Sequence, residues 1–450
     1  MVFRRFALFL PILAAVILGG CTPAVTTAQL QTGVTTKESM NYTISTLEKD
    51  KSSQNEMWYW LNLGRLYQVK GEYNSSIGAF NNAEAILNEY ENRATVSLRN
   101  VGAGAGSFLF SKGAETYYGK GYERTLMHTL NALNYAMIGD FEGAAVEMRK
   151  MEKRQEFWLK ESEEKIVEAK KKQRETGGAD TSQIPSGYSM AAMLQDPEVR
   201  DMANNYQDAF SYALSSIIAK ISGDDGYAGI SKKRALALSG EADAVFQKQS
   251  KKQSKKTNSV EVDVTVVVLS GRAPAVSIEK IRFPLPSLKY YAVLDLPSLK
   301  RPIDDPYYAS VSTAQGYNAA APRLLRSDKM AYKTLKDELP LELTKSIIRA
   351  TAKGALAKQA SDNGGALAGL ATSIIMDVTA STMEKSYRNW EMLPNSGFLA
   401  RFSAKKGENV YIRVGGEQRS VTIPQNTKNG SLILVSYLSN NNIGVDHVEY

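Results

Sequence analysis

Apolar positions recur every three or four residues through the first half of the chain and every second residue through much of the remainder. That pattern predicts helices followed by strands. Leu63, Gly64 and Tyr67 fall on one face of a first helix, Gly71 ends it, and Ile77, Phe80, Ala83 and Leu87 carry the stripe onto a second. The pair reads as a helical hairpin over residues 57–90. A second hairpin starts at Glu123: Leu126, Leu130, Leu133 and Met137 form its stripe, Tyr135 adds an aromatic ring, Gly139-Asp140-Phe141 turns the chain, and Ala144 opens the return. From Gly143 the return continues as a mixed-charge helix through Glu147, Lys150, Arg154 and Glu161, ending before Gly177-Gly178. Such a stripe suits a solvated face or a projecting arm. A third pair is predicted over 199–221 and 227–244.

The period then changes. Residues 248–258 carry Lys251, Lys252, Lys255 and Lys256 without apolar periodicity and read as a basic linker. Beyond it Val260, Val262, Val264, Val266 and Val268 alternate with Glu261, Asp263 and Thr265, a half-buried strand. Further strands are predicted over 275–283, 290–296, 398–402, 410–414, 420–423 and 432–438. Between the two strand groups helical spacing returns, with Leu343, Ile347, Ala350 and Ala357 in one limb and Leu367, Leu370, Ile374 and Val378 in the other. The expected architecture is α+β and multidomain. A helical domain over 39–247 precedes a β-sandwich-like domain made of 259–326 and 389–450, with a helical hairpin inserted at 327–388.

The first hairpin carries a repeat signature. Trp60, Leu63, Gly64 and Tyr67, the turn Gly71-Glu72-Tyr73, and the later Phe80 and Ala83 stand at tetratricopeptide spacing. Tyr135, Gly139, Phe141 and Ala144 take the matching core positions of the second hairpin. His128 falls two periods of about 34 residues after Trp60, which implies a degenerate repeat between them and hence a TPR-like α-solenoid. Small Gly64 allows close helix approach. Groove-facing positions of the first repeat, Trp58, Leu61, Arg65 and Gln68, are mixed in character and are the expected partner contacts. Their counterparts Leu126, Thr129, Leu133 and Ala136 are mostly apolar, which suits a groove filled by the protein's own C-terminal half.

The N-terminus departs from both patterns. Arg4 and Arg5 precede an apolar run broken by Pro11, and Leu18-Gly19-Gly20 lead into Cys21, the only cysteine. This is the layout of a secretory signal over residues 1–20, too short to span a ~30 Å hydrocarbon core. It resembles the bacterial lipobox, which implies that Cys21 is the acylated first residue of the mature chain and carries palmitate-type chains. Thr22 in place of an acidic residue resembles the pattern sorted to the outer membrane, facing the periplasm. Residues 21–38 then read as a tether.

Composition narrows the chemistry. One cysteine and two histidines leave no disulfide framework and no thiol or imidazole metal cluster. The net charge of +8 suits either a surface near anionic envelope polymers and lipids or an ordinary basic protein. The lysine run lacks interleaved aromatics, so nucleic acid is not expected. Gly102, Gly104 and Gly106 miss both phosphate-loop spacings, and Asp304-Asp305 sits among prolines. No catalytic residue, metal or cofactor is expected. Gly365 and Gly369 form a G-x-x-x-G step, the expected contact of the inserted hairpin with its own sheet, a second copy or a membrane.

Together the lipobox, the stretch from Trp60 to Ala83, Tyr122-Glu123-Arg124, Asn131 to Tyr135, Gly139-Asp140-Phe141, Gly271-Arg272-Ala273-Pro274, Gly364 to Gly369 and Trp390 to Pro394 resemble an uncharacterised family of bacterial outer-membrane lipoproteins with a repeat-like helical half. The resemblance implies a non-enzymatic protein-binding adaptor linked to cell-wall or envelope assembly. Its alternative is an oligomeric or membrane-inserting component acting through the hairpin near Gly365.

Overall fold

The computed structural model describes residues 30, 32–49, 56–99, 117–175, 184–247, 261–285, 290–300, 305–344, 346–347 and 388–450. The chain is a mixed α+β protein in which helices precede sheets. After α1 (Lys37–Lys49) come three helical hairpins: α2 (Glu56–Lys70) with α3 (Tyr73–Arg99), α4 (Gly121–Met137) with α5 (Phe141–Glu175), and α6 (Ala209–Ile221) with α7 (Asp225–Leu238). Each turns at a glycine of positive φ, Gly71, Gly139 and Gly223 respectively, a conformation that costs other residues about 1–2 kcal/mol. Gly64 does a different job. A Cβ there would lie 2.6 Å from the Phe80 ring, so its absence lets α2 and α3 close on each other.

The third hairpin begins later than its periodicity predicts, because Asp208 caps α6 by accepting the Ser211 N–H, and residues 191–195 and 197–200 form short separate helices.

The strands are β1 (Glu261–Ser270), β2 (Val276–Leu285), β3 (Tyr290–Leu299), β4 (Ala309–Thr313), β5 (Asn318–Ala321), β6 (Arg323–Arg326), β7 (Ser396–Lys405), β8 (Asn409–Val414), β9 (Glu417–Thr422), β10 (Gly430–Ser439) and β11 (Asn442–Glu449). One sheet has the order β11-β10-β1-β7-β6, a second β5-β4-β8-β9, and β2 pairs with β3 in a two-stranded sheet among the described residues. The two larger sheets each draw strands from both sides of residues 327–388. A helix over 327–344 follows β6.

β1 corrects an expectation. Its alternation suggested one solvated face, but it is the central strand, parallel to β10 and antiparallel to β7, and is buried from Val264 onward. Val262, Val264, Val266 and Val268 join Val311, Ile412 and Val414 in a cluster between the two large sheets. Val267 and Leu269 point the other way, into a core shared with the helices. The five-stranded sheet is thus covered on both faces, and polar Thr265 is buried with it.

Part of the segment expected as tether, residues 30 and 32–38, belongs to the folded body. Leu30 and Val34 are fully buried, the Leu30 carbonyl accepts from Arg272, and the Val34 carbonyl accepts from Asn442. Two isolated apolar residues show no periodicity, so the pattern of the sequence carries no sign of their burial. Cys21, the basic linker 248–258, and Gly365 with Gly369 lie outside the described residues.

Candidate functional site

The residues expected to meet a partner are inside the protein. Trp58, Leu61 and Arg65 are fully buried and Gln68 is 1% exposed. Trp58 Nε1 donates to the Asn389 carbonyl and to Glu391; Arg65 Nη1 donates to Gln68 Oε1 at 2.7 Å and Ser436 Oγ at 3.1 Å; Gln68 Nε2 donates to the Leu130 carbonyl and Asn134 Oδ1. They are therefore not partner contacts. The C-terminal half occupies the groove they line. Trp60 and Trp58 also exchange roles: Trp60, assigned to the repeat core, is half-buried, as are Tyr67, Tyr135 and Phe141, while Leu63, Gly64, Phe80, Ala83 and Ala144 are buried as core residues and Gly139 is exposed at its turn.

Segments far apart in sequence meet at this joint. Glu123, fully buried, accepts from Lys120 N, Tyr117 Oη and Trp390 N at 2.6, 2.8 and 2.6 Å, so one carboxylate caps α4 and holds the segment before β7. Burial raises its pKa, the surrounding donors only partly offsetting the loss of water. Asn62 Oδ1 accepts from Met392 N at 3.0 Å, and the Ala273 N–H donates to the Leu393 carbonyl at 2.8 Å.

A second polar cluster lies within the helices. Glu84, His128 and Glu147 bring ligand-type atoms within 4.8 Å of one another, a geometry a metal could use. Those positions are already engaged. Lys150 Nζ sits 2.8 Å from Glu84 and 2.9 Å from Glu147, and Arg154 Nε donates to His128 Nε2 at 3.3 Å. Because a guanidinium only donates, His128 carries its proton on Nδ1, facing Glu147 at 2.7 Å. Burial works against the Glu147 carboxylate, yet His128 and Lys150 hold it below the usual range. Arg124, 2.7 Å from Glu161, and Arg154, paired with Glu91, extend the network. The charged helix expected to be solvated therefore buries one stripe of its charges against α3 and α4.

An open cleft of about 620 Å³ borders the joint, lined by Tyr307, Arg323, Arg326, Asp328, Lys329, Glu198 and Glu241 among others. Its floor is built where β6 pairs with the start of β7. Arg323 donates from Nε to Ser396 Oγ at 2.7 Å and from Nη2 to Asp305 and Asp328 at 3.2 and 3.5 Å. Ser396 Oγ and Asn395 Nδ2 donate to Asp305 at 2.8 and 2.5 Å. Burial pushes the Asp305 and Asp328 carboxyls up, against the lowering pull of Arg323. Gly271, at φ +68°, is needed here, because a Cβ would lie 2.7 Å from Asp305 Oδ1. On the rim Arg326 faces Glu198 and Glu241 at 3.5 and 3.3 Å, and Lys329 faces Glu198 and Asp196 at 2.9 and 3.6 Å. Tyr307 is 70% exposed with the Arg323 guanidinium 5.1 Å from its ring centre, and Tyr308 is 57% exposed.

Nothing in the sequence marked this cleft. Asp305 looked like a loop acid among prolines, and its partners lie 18 and 91 positions away. No family model, curated protein or solved structure matches the chain.

Proposed function

We propose that the chain is a periplasm-facing lipoprotein of the bacterial outer membrane, acylated at Cys21, acting as a non-enzymatic adaptor in cell-envelope or cell-wall assembly. Its helical half is TPR-like and its two larger sheets are a β-sandwich-like body. The observation that carries this reading is the joint: with the inner groove of the helices filled by Trp390, Met392 and Ser436, the surfaces left to the helices face outward. Five of the nine large hydrophobic side chains most exposed among the described residues, Ile138, Val146, Leu159, Val167 and Ile230, stand on or beside α4, α5 and α7. They are the apolar contact points these helices offer to a partner.

Among the described residues no helix is long and apolar enough to cross a membrane. Attachment then rests on the acyl chains of Cys21, at ~0.8 kcal/mol per buried methylene. Crosslinking in intact cells followed by pull-down tests the adaptor. Val146→Glu with Leu159→Glu leaves the fold intact, since both side chains are exposed, and removes the captured protein; retention of every partner would overturn the assignment. Cys21→Ala moves the chain from the membrane fraction to the soluble one.

A further inference from the structure

The cleft beside the joint has an unusual balance. Each of its cations is already neutralised in place: Arg323 lies between Asp305 and Asp328, Arg326 between Glu198 and Glu241, and Lys329 between Glu198 and Asp196. An anionic ligand would meet a carboxylate beside every cation, and a cationic one would meet arginine or lysine beside every carboxylate pair. Either meets like charge already in place. A neutral ligand meets no such repulsion. It uses the hydrogen-bonding capacity the pairs leave over: Arg323 Nη1 has no partner among the described residues, and each carboxylate has about four acceptor sites.

The remaining wall is apolar, formed by Met193, Ala320, Ala321 and Pro322 with the rings of Tyr307, Tyr332 and Phe398. Tyr307 holds a large ring 70% exposed at the cleft edge, with Tyr308 next to it in the chain. An exposed ring beside fixed, planar donors and acceptors matches a molecule with an apolar C–H face and a rim of hydroxyls. The volume of about 620 Å³ falls in the range of roughly 300–1,000 Å³ usual for small-ligand sites.

We propose that this cleft binds a neutral oligosaccharide, with Tyr307 as the platform under a sugar ring and Arg323, Asp328 and the rim carboxylates as partners of its hydroxyls. This site is separate from the outward helical surface assigned to a protein partner. Loss of one leaves the other standing.

The test uses the full Cys21→Ala chain and calorimetric titration with four probes: tri-N-acetylchitotriose and cellotriose as neutral glycans, a trigalacturonate as an anion, and a tri-arginine peptide as a cation. One or both neutral trisaccharides bind, with an affinity unchanged between low and high salt. Tyr307→Ala weakens that binding at least about tenfold, and Tyr42→Ala, an equally exposed tyrosine on α1, leaves it alone. Tighter binding of trigalacturonate or tri-arginine, with the salt dependence of a charged contact, would overturn the proposal. So would silence from both neutral probes, or an unchanged affinity in Tyr307→Ala.

Discussion

Arg65 is a buried charge in the joint. It is fully buried, its Nε and Nη2 have no partner among the described residues, and loss of water lowers its pKa to about 9, with Tyr73 offsetting only part. Among the described residues no carboxylate pairs with it. Arg65→Met is therefore expected to be neutral or stabilising, because an apolar side chain of similar length avoids the desolvation. Arg65→Glu leaves an unpaired buried carboxylate and costs about 3–5 kcal/mol. Denaturant unfolding of both variants checks this, and an Arg65→Glu chain as stable as the parent would show that this side chain is not buried at the joint.

Asp208 gives a pH-dependent test. Burial raises its pKa from 3.8 to about 6, while hydrogen bonds from Ser211 and the Phe210 backbone pull the other way. The folded state thus binds the proton more tightly than the unfolded one. Stability from this group is full below about pH 4 and declines as pH rises through 6, by on the order of 3 kcal/mol. Asp208→Asn keeps a capping oxygen and removes that slope, so the stability difference between variant and parent grows in the variant's favour between pH 4 and pH 6.5. Gly64→Ala forces Phe80 aside and is expected to cost about 1–3 kcal/mol.

At the scale of elements, α5 shows how one helix serves two environments. Ala144, Met148, Met151, Arg154 and Glu161 are buried, whereas Glu142, Val146, Arg149, Lys153, Glu156, Lys160 and Glu163 form the exposed stripe. Charge alone did not separate these faces, since buried Arg154 and exposed Lys153 are neighbours. One link between α4 and the segment before β7 runs through Glu123. Glu123→Gln turns an acceptor toward donors and should cost about 1–3 kcal/mol. The informative readout is hydrogen exchange: protection is lost at the Trp390 amide before it is lost within β1. Equal protection in variant and parent would mean that the two halves are held together elsewhere.

For the whole molecule, the position of Leu30 constrains the anchor. Only the nine residues from Cys21 to Gln29 separate the proposed lipid from the folded body. At roughly 3.3–3.6 Å per residue they reach about 30 Å. The docked segment meets the turn between β10 and β11, through Ser439 with the Thr35 carbonyl and Asn442 with the Val34 carbonyl. A chain beginning at residue 30 should keep its melting temperature. One beginning at residue 37 empties the Leu30 and Val34 sites and leaves Asn442 short of its acceptor, lowering the melting temperature by several degrees.

Local order was readable along the chain because it depends on neighbours three, four or two positions away. The helical hairpins, their glycine turns, the closeness demanded at Gly64 and most strands follow from that short-range periodicity. What lay beyond it required the folded chain. Whether Val264 faced water or protein depended on which sheet received β1. Whether Trp58 and Arg65 met a stranger or their own C-terminus depended on a strand some 370 positions away. The cleft arose only when Asp305, Arg323 and Ser396, none conspicuous alone, were brought together by strand pairing. Periodicity reports which face of an element is apolar, and it carries no information about what will come to cover that face.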